Sequence, residues 1–189
     1  MDLLDATIQV LAGLGRDEVL SLRAVARKAG VTPNAVYLQF TDRNELVAAA
    51  VELLFDELAA YRDQAEAEAV RSGGGLLAQL EARTLAYVRW ALEKPGAYTV
   101  LYGGRAIPRL SKPESYSLGQ TMLDRTVDIV RELEEQGLAS PTVSPEYAGL
   151  LIWTASHGIV SLKIDKDTID WPDSEELALA ALRSVVRPV

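Results

Sequence analysis

The sequence predicts an all-α fold, in which a small N-terminal helix-turn-helix unit precedes a larger helical region, with about nine helices in all. Apolar residues recur at helical spacing along almost the whole chain, and no stretch shows the two-residue alternation of a strand. Capping residues, glycines and prolines divide this pattern into separate helices. With 49% hydrophobic and 24% charged residues, the 189-residue chain can bury a core of its own.

The first two predicted helices have recognisable ends. Helix one covers about residues 2–13 and stops in a pair of glycines, the residue type that best accepts the left-handed conformation at a helix end. Helix two covers residues 22–29, with Ser21 as its N-cap and Gly30 as its terminator. Two short helices around a tight glycine turn are therefore expected near the N-terminus.

The third and fourth helices have well-defined starts. Thr32 is the N-cap of helix three and Pro33 takes its first position, so the starting point is fixed. This helix ends near Phe40, and Asp42 with Glu45 forms a capping box that opens a long fourth helix. Five apolar side chains fall on inward stripes and are predicted to be core: Val25, Val31, Val36, Phe40 and Leu46.

The remaining helices are longer, and glycine and proline separate them. Helix four is expected to end at the SGGG run of residues 72–75 and to bury one stripe: Leu46, Ala50, Leu53, Glu57 and Tyr61. Further helices are predicted at residues 76–93, 97–102, 116–136, 145–163 and 174–187. The loop 103–113, rich in glycine and proline, is expected to be the most mobile element.

The N-terminal region contains a motif that points to DNA binding. Residues 21–32 read SLRAVARKAGVT, and VYLQF and DRNEL follow at residues 36–40 and 42–46. This run resembles the DNA-binding signature of the tetracycline-repressor (TetR) family over about residues 6–55. The resemblance implies a DNA-binding domain at residues 1–46 and a ligand-binding and dimerisation domain at residues 47–189.

The resemblance also implies roles for individual side chains. Thr32 and Tyr37 would contact phosphate, Asn34 would face base edges, and Arg43 takes the place of the usual lysine. The full set implied for DNA binding is Ser21, Arg23, Thr32, Pro33, Asn34, Tyr37, Gln39 and Arg43. Gln39 replaces the usual histidine, and the basic arm that commonly precedes helix one is missing. For the arginines and lysine of helix two, a solvated helix face is an equally good interpretation.

The distribution of charge favours one docking orientation. The chain has a net charge of -8, which is the reverse of a general nucleic-acid-binding composition. Residues 16–43, however, contain five basic and three acidic residues, so this region is locally basic. An acidic body behind a basic surface would repel phosphate from other directions.

The last two helices predict a homodimer. Helix 145–163 is apolar all round, and a second subunit is the simplest cover for its second side. The predicted interface comprises Leu151, Ala155, Ile159, Leu162, Leu177, Ala181, Leu182 and Val185. Gly158, which costs helix stability, is expected where another helix approaches closely. Trp153, His157 and Gly158 also resemble the Trp-His-Gly pattern of one TetR C-terminal subclass.

Aromatic residues of the middle helices suggest a pocket for a small apolar effector. The candidate lining residues are Trp90, Tyr98, Tyr102, Met122, Trp153 and His157, with Tyr116 beside them. Ordinary core packing is an equally good interpretation of these side chains, and for His157 it is the preferred one.

Several functional classes are disfavoured. Cysteine is absent and histidine occurs once, so no metal site and no cofactor is expected. The acidic start lacks the positive charge of a secretion signal, and the longest apolar run, residues 148–162, is too short for a membrane span. We therefore expect a cytoplasmic, ligand-responsive repressor that binds a palindromic operator in double-stranded DNA. The alternatives are a helical enzyme with His157 as general base and a helical interaction protein without DNA binding.

Overall fold

The computed structural model describes residues 2–14, 18–103 and 112–189, with side chains described in the last range from residue 120 onward. These residues form nine α-helices and two short β-strands, which confirms the all-α prediction. In chain order they are α1 (Leu3–Gly13), α2 (Leu22–Ala29), α3 (Pro33–Gln39), α4 (Arg43–Arg71), α5 (Leu76–Glu93), α6 (Pro95–Tyr102), α7 (Lys112–Glu135), β1 (Ala139–Pro141), α8 (Pro145–Asp165), α9 (Ser174–Val185) and β2 (Val186–Pro188).

The chain divides into two compact units. Unit 1 comprises Met1–Glu57 and Lys94–Leu118, and unit 2 comprises Leu58–Glu93 and Gly119–Val189. Packing into compact units does not show which residues bind DNA or form a dimer, so the predicted domains at residues 1–46 and 47–189 stay a prediction.

Unit 1 is built around the packing of α1 on α2 and α6. Asp2 caps α1 by accepting a hydrogen bond from the backbone N–H of Leu3 at 2.5 Å. Of the five side chains predicted to be core, Val25, Val36 and Leu46 are fully buried, and Phe40 is half-buried. The prediction was wrong for Val31, which is 42% exposed because it lies in the turn beyond the end of α2.

The buried stripe of α4 differs from the predicted one. It advances in steps of four residues through Leu46, Ala50, Leu54, Leu58 and Arg62. The predicted stripe took a step of three residues from Ala50 to Leu53, which is exposed. Its next members, Glu57 and Tyr61, therefore each precede a buried residue by one position and are only half-buried. Each later position of the predicted stripe was counted from the one before, so the error affected every later position of this 29-residue helix.

Two helix starts also differ from the sequence prediction. α6 begins at Pro95 rather than at residue 97, because proline is favoured in the first turn of a helix. α7 begins at Lys112 rather than at residue 116. Most of the predicted mobile loop, residues 104–111, lies outside the described residues, as does the side chain of Tyr116.

The two strands were not predicted. α9 ends at Val185, and β2 then pairs antiparallel with β1, with Ala139 opposite Pro188 and Pro141 opposite Val186. Three residues are too few to show an alternating pattern, so the sequence carries no signal for them.

Unit 2 has a core formed by α5, α7, α8 and α9 together with the two strands. Its buried members are Leu80, Ile129, Val130, Leu133, Ala139, Ala148, Ile152, Leu182 and Val186. Helices α7 and α8 approach closely at Gly149, where an added Cβ would lie 2.7 Å from Cγ2 of Val127. This glycine therefore allows the two helices to pack at short range.

Candidate DNA-binding surface and the face of α8

The turn between α2 and α3 is a tight glycine turn. Gly30 has a φ of 74°, a left-handed conformation that favours glycine. Its backbone N–H bonds to the carbonyl of Arg27 at 3.3 Å, and the N–H of Val31 bonds to the carbonyl of Ala26 at 3.0 Å. This pair of hydrogen bonds is the Schellman arrangement, which satisfies the last carbonyls of α2 and fixes the direction in which α3 leaves.

The start of α3 is capped as the sequence predicted. Oγ1 of Thr32 accepts a hydrogen bond from the backbone N–H of Ala35 at 3.3 Å, and Pro33 takes the first helical position. In α3 only Val36 is fully buried, and Ala35 is half-buried. The other side chains of α3 are therefore wholly or partly open to solvent, and Val36 is the one that packs fully in the core.

The side chains predicted to bind DNA lie on or beside this surface. The exposed ones are Ser21, Arg23, Thr32, Pro33, Asn34, Tyr37 and Gln39, whereas Arg43 is half-buried. Tyr37 is 59% exposed, a large fraction for an aromatic side chain. Ser21 lies at the N-cap position of α2, but its side chain makes no capping hydrogen bond. Arg27 and Lys28 are exposed in the last turn of α2, where positive charge complements the helix dipole.

The junction between α3 and α4 is held by a modified capping box. Oδ1 of Asp42 accepts hydrogen bonds from the N–H groups of Asn44 at 2.7 Å and Glu45 at 2.9 Å. The carboxylate of Glu45 reaches back one residue further than predicted, to the hydroxyl and the N–H of Thr41, both at 2.6 Å. These two hydrogen bonds lower the pKa of Glu45. The arrangement fixes the first turn of α4, of which Arg43 is the first residue.

The side chains predicted to line a pocket belong to both units. In unit 1, the rings of Tyr98 and Tyr102 lie 5.1 Å apart, and Phe55 meets Tyr102 edge-on at 6.2 Å. In unit 2, Trp90 and Met122 are buried, Trp153 is exposed and His157 is half-buried.

Within unit 2, His157 lies close to Tyr87 and Trp153. Its Nδ1 lies 3.1 Å from the hydroxyl of Tyr87, a partner that the sequence analysis did not identify. The ring of Trp153 lies 5.7 Å away at an angle of 40°, as expected for aromatic residues one helical turn apart. Burial lowers the pKa of His157, which favours its neutral form.

The side chains predicted for the dimer interface separate into two groups. On α8, Leu151 is 44% and Leu162 is 48% exposed, with Ala155 and Ile159 half-buried between them. On α9, Leu177, Ala181 and Val185 are half-buried. Leu182 is fully buried in the core of unit 2, so its side chain is already covered within one chain. A Cβ added at Gly158 would meet nothing within 4 Å, so the space into which a side chain would project there is open among the described residues.

A buried arginine in unit 2 was missed by the sequence analysis. Arg62 is only 8% exposed and donates hydrogen bonds to the carbonyls of Arg83 and Met122, both at 3.4 Å, and to the hydroxyl of Thr126 at 3.0 Å. The available signal was its position, four residues after Leu58 on the buried stripe of α4.

Two kinds of site are absent from the part of the chain that the structure describes. No group of three or more histidine, cysteine, aspartate or glutamate side chains has the geometry to hold a metal ion. No helix in these same ranges is long and apolar enough to cross a membrane.

A helix-turn-helix whose second helix is exposed, followed by a long helix and a larger helical region, defines the class of helical DNA-binding transcription regulators. Residues 3–50 match the family model of bacterial regulatory proteins of the tetR family. Residues 80–185 match the model of the tetracyclin repressor-like C-terminal domain. The chain belongs to the tetR family of bacterial regulatory proteins. Neither description names the Trp-His-Gly subclass, which stays a prediction.

Solved structures show the same fold over nearly the whole chain. A Rhodococcus sp. RHA1 protein of unknown function is 29% identical with a TM-score of 0.77, and the match covers 96% of this chain and 90% of that one. A TetR-family transcription regulator from Marinobacter aquaeolei VT8 is 18% identical with a TM-score of 0.77, covering 97% and 93%. The regulator FadR from Bacillus subtilis, in complex with stearoyl-CoA, is 14% identical with a TM-score of 0.78, covering 99% and 97%. No curated protein matches the chain.

Proposed function

We propose that this protein is a ligand-responsive transcriptional repressor that binds a palindromic operator as a homodimer and is released by a small apolar molecule. The observation that supports DNA binding is the geometry of α3. It follows a fixed turn at Gly30, begins at a capped position and exposes Asn34, Tyr37 and Gln39 beside the basic end of α2. In this class of motif, such a helix enters the major groove and its side chains reach base edges.

Phosphate contacts are assigned to residues that flank α3. Arg43 begins α4, and Thr32 caps α3, so both lie at helix N-termini, where backbone N–H groups also favour phosphate. Tyr37 provides an exposed hydroxyl on α3 itself. These contacts fix the register of the protein on the duplex but carry no sequence information.

The homodimer is proposed from the outer face of α8. Leu151 and Leu162 are large apolar side chains left in solvent, and the space over Gly158 between them is open. A helix of a second copy, packed over Gly158, would cover both leucines and would explain a glycine that costs about 1 kcal/mol relative to alanine in a helix interior. Leu182, covered within its own chain, is removed from the proposed interface.

The effector is proposed from the chemistry of unit 2 and from a structural neighbour. Trp90 and Met122 provide apolar surface within unit 2, and the pair formed by Tyr87 and His157 provides polar groups there. Ligand sites commonly combine these two kinds of side chain. The neighbouring FadR structure contains stearoyl-CoA, so an acyl chain is the first effector class to test.

Selection of bound duplexes from random-sequence DNA tests the DNA-binding proposal. We expect an enriched palindrome, whose affinity falls with salt. Arg43→Gln is expected to flatten the slope of log K against log salt by about 0.9 for each lost phosphate contact, hence about twice that for a dimer. Arg71→Gln is the matched control, because it removes the same charge from the exposed end of the same helix. Failure of the wild-type protein to enrich any sequence would overturn the proposed function.

Sedimentation velocity tests the dimer. At micromolar concentration the wild-type protein should sediment as a dimer, whereas Leu151→Glu should give monomers, since an unpaired charge in an apolar interface is strongly destabilising. Val70→Glu introduces the same charge at an exposed position of α4 and should leave the dimer intact. A monomeric wild-type protein contradicts the assembly proposal.

A further inference from the structure

Leu38 is an apolar side chain on the exposed helix α3, and the role inferred for it rests on the proposed DNA-binding function. Leu38 is 80% exposed, and among the large apolar side chains that the structure describes only Val189, the last residue, is more exposed. Single exposed leucines occur on many protein surfaces. The position of this one on α3, however, relates it to the groove that α3 would enter.

The buried side chain of Val36 defines which direction of α3 faces the solvent. A helix turns by about 100° per residue, so Asn34 and Leu38 each lie about 160° from Val36, one on either side of the outermost line. The two positions are four residues apart and form neighbouring points of one ridge. Tyr37 lies about 100° from Val36, on the flank of the helix. The observed exposure agrees, because Asn34 and Leu38 are exposed while Ala35, on the opposite flank, is half-buried.

A ridge of this composition matches one kind of base sequence. In the major groove an asparagine amide pairs with N6 and N7 of adenine, and apolar side chains pack against the C5 methyl group of thymine. Four residues of helix span about 6 Å, and successive base pairs are about 3.4 Å apart. The two side chains can therefore contact base pairs one or two steps apart.

We propose that Asn34 and Leu38 determine the operator sequence, Asn34 by reading an adenine and Leu38 by packing on the methyl group of a thymine one or two base pairs away. The half-site is then specified by one polar and one apolar contact on the outer ridge of α3. Tyr37 on the flank of α3, Thr32 at its N-cap and Arg43 at the start of α4 hold the phosphates.

Base analogues within the selected operator test each contact separately. Deoxyuridine differs from thymidine only by the missing C5 methyl group, so replacing thymines one at a time measures the contribution of each methyl. We expect one position per half-site at which wild-type binding weakens about fourfold, the change that corresponds to one buried methyl-sized group. Leu38→Ala should bind the thymine and deoxyuridine duplexes equally at that position. Leu138→Ala, at another exposed leucine, should keep the wild-type preference.

The adenine contact is tested by 7-deazaadenine, which lacks the N7 acceptor. Wild-type binding should weaken about fivefold or more at one adenine per half-site, since a bidentate contact contributes about 1–3 kcal/mol of discrimination. Asn34→Ala should be insensitive to the same replacement.

The outcomes separate the inference from the proposed function. If the wild-type protein enriches a palindrome but Leu38→Ala retains the deoxyuridine effect, or no thymine of the half-site is sensitive, the readout by Leu38 is wrong and DNA binding stands. An adenine effect that survives Asn34→Ala likewise removes the role of Asn34 alone. Absence of any enriched duplex for the wild-type protein overturns both.

Discussion

At the scale of single residues, the guanidinium of Arg62 is buried in unit 2 and requires hydrogen-bond partners there. Its donors reach carbonyls or hydroxyls of α5 and α7, so one side chain of α4 joins three helices. A second arginine, Arg83, extends this polar region by pairing with Asp63 at 2.5 Å and Glu66 at 2.7 Å. Burial raises the pKa of Glu66, but its hydrogen bond to Arg125 and the charge of Arg83 outweigh burial and lower it.

Replacing Arg62 separates the contribution of packing from that of hydrogen bonding. Arg62→Ala should lower the free energy of unfolding by about 2–5 kcal/mol, because it removes a buried side chain and leaves a cavity. Arg62→Met restores most of the volume but not the donors, so a loss of about 1–3 kcal/mol should remain. Urea denaturation measures both, with Arg71→Met as the control at an exposed position of α4. Wild-type stability of Arg62→Met would show that the hydrogen bonds contribute nothing net.

The cap formed by Glu45 gives a pH-dependent prediction. Hydrogen bonds from Thr41 lower the pKa of Glu45 below its ordinary value of 4.5, so the charged form is favoured by folding. Its contribution to stability is therefore present above pH 4.5 and is lost as the pH falls through the lowered value. An NMR titration should place the Glu45 midpoint below 4.5, and Thr41→Val, which removes the hydroxyl, should move it upward. An unchanged midpoint in Thr41→Val would assign the shift to the backbone N–H alone.

At the scale of elements, capping signals predicted the starts of α3 and α4 better than the orientation of α4. Thr32 with Pro33, and Asp42 with Glu45, determine a start through contacts within a few residues, and such contacts can be read from the sequence. The pairing of β1 with β2 joins residues far apart in the chain, so the sequence pattern left it open. The buried stripe of α4 was predicted, but one wrong step of three residues displaced it. The candidate sites differ in the same way. The exposed residues of α3 could be predicted from a local motif, whereas Arg62 and Tyr87 make hydrogen bonds with partners far away in the chain.

Replacing glycine by alanine is expected to affect stability differently at the two glycines of α8, Gly149 and Gly158. Alanine is favoured over glycine in a helix interior by about 1 kcal/mol. At Gly149 the added Cβ would lie 2.7 Å from Val127, so overpacking opposes this gain, whereas at Gly158 it meets nothing within 4 Å. In the monomeric Leu151→Glu background, Gly158→Ala should therefore raise the unfolding midpoint and Gly149→Ala should not.

The proposed dimer reverses the expectation for Gly158. If a helix of the second copy packs over this position, Gly158→Ala should weaken dimerisation in the otherwise wild-type chain even though it stabilises the protomer. Sedimentation at several concentrations measures this dissociation. An unchanged dimer would mean that Gly158 lies outside the interface.

At the scale of the whole molecule, charge and linkage determine how the protein would respond to its ligands. The net charge is -8, while the exposed cations Arg23, Arg27 and Lys28 lie on α2 beside α3. Repulsion of phosphate from the rest of the surface favours approach through this region, and the effect is screened by salt. Operator affinity should consequently fall as the salt concentration rises, although the net charge of the chain is negative.

The effector proposal makes a prediction for the complete protein with its operator. A ligand releases a DNA-bound regulator only if it binds the DNA-incompetent state better, and coupling of about 1–3 kcal/mol corresponds to a change of about 5–150-fold in affinity. Stearoyl-CoA, with dodecanol as an uncharged probe, can be titrated by tryptophan fluorescence with and without the selected operator. Because binding free energies are reciprocal, operator DNA must weaken the affinity for the probe by the same factor by which the probe weakens operator binding. A probe that binds tightly but equally in both titrations is not an effector, since equal affinity for two states shifts neither.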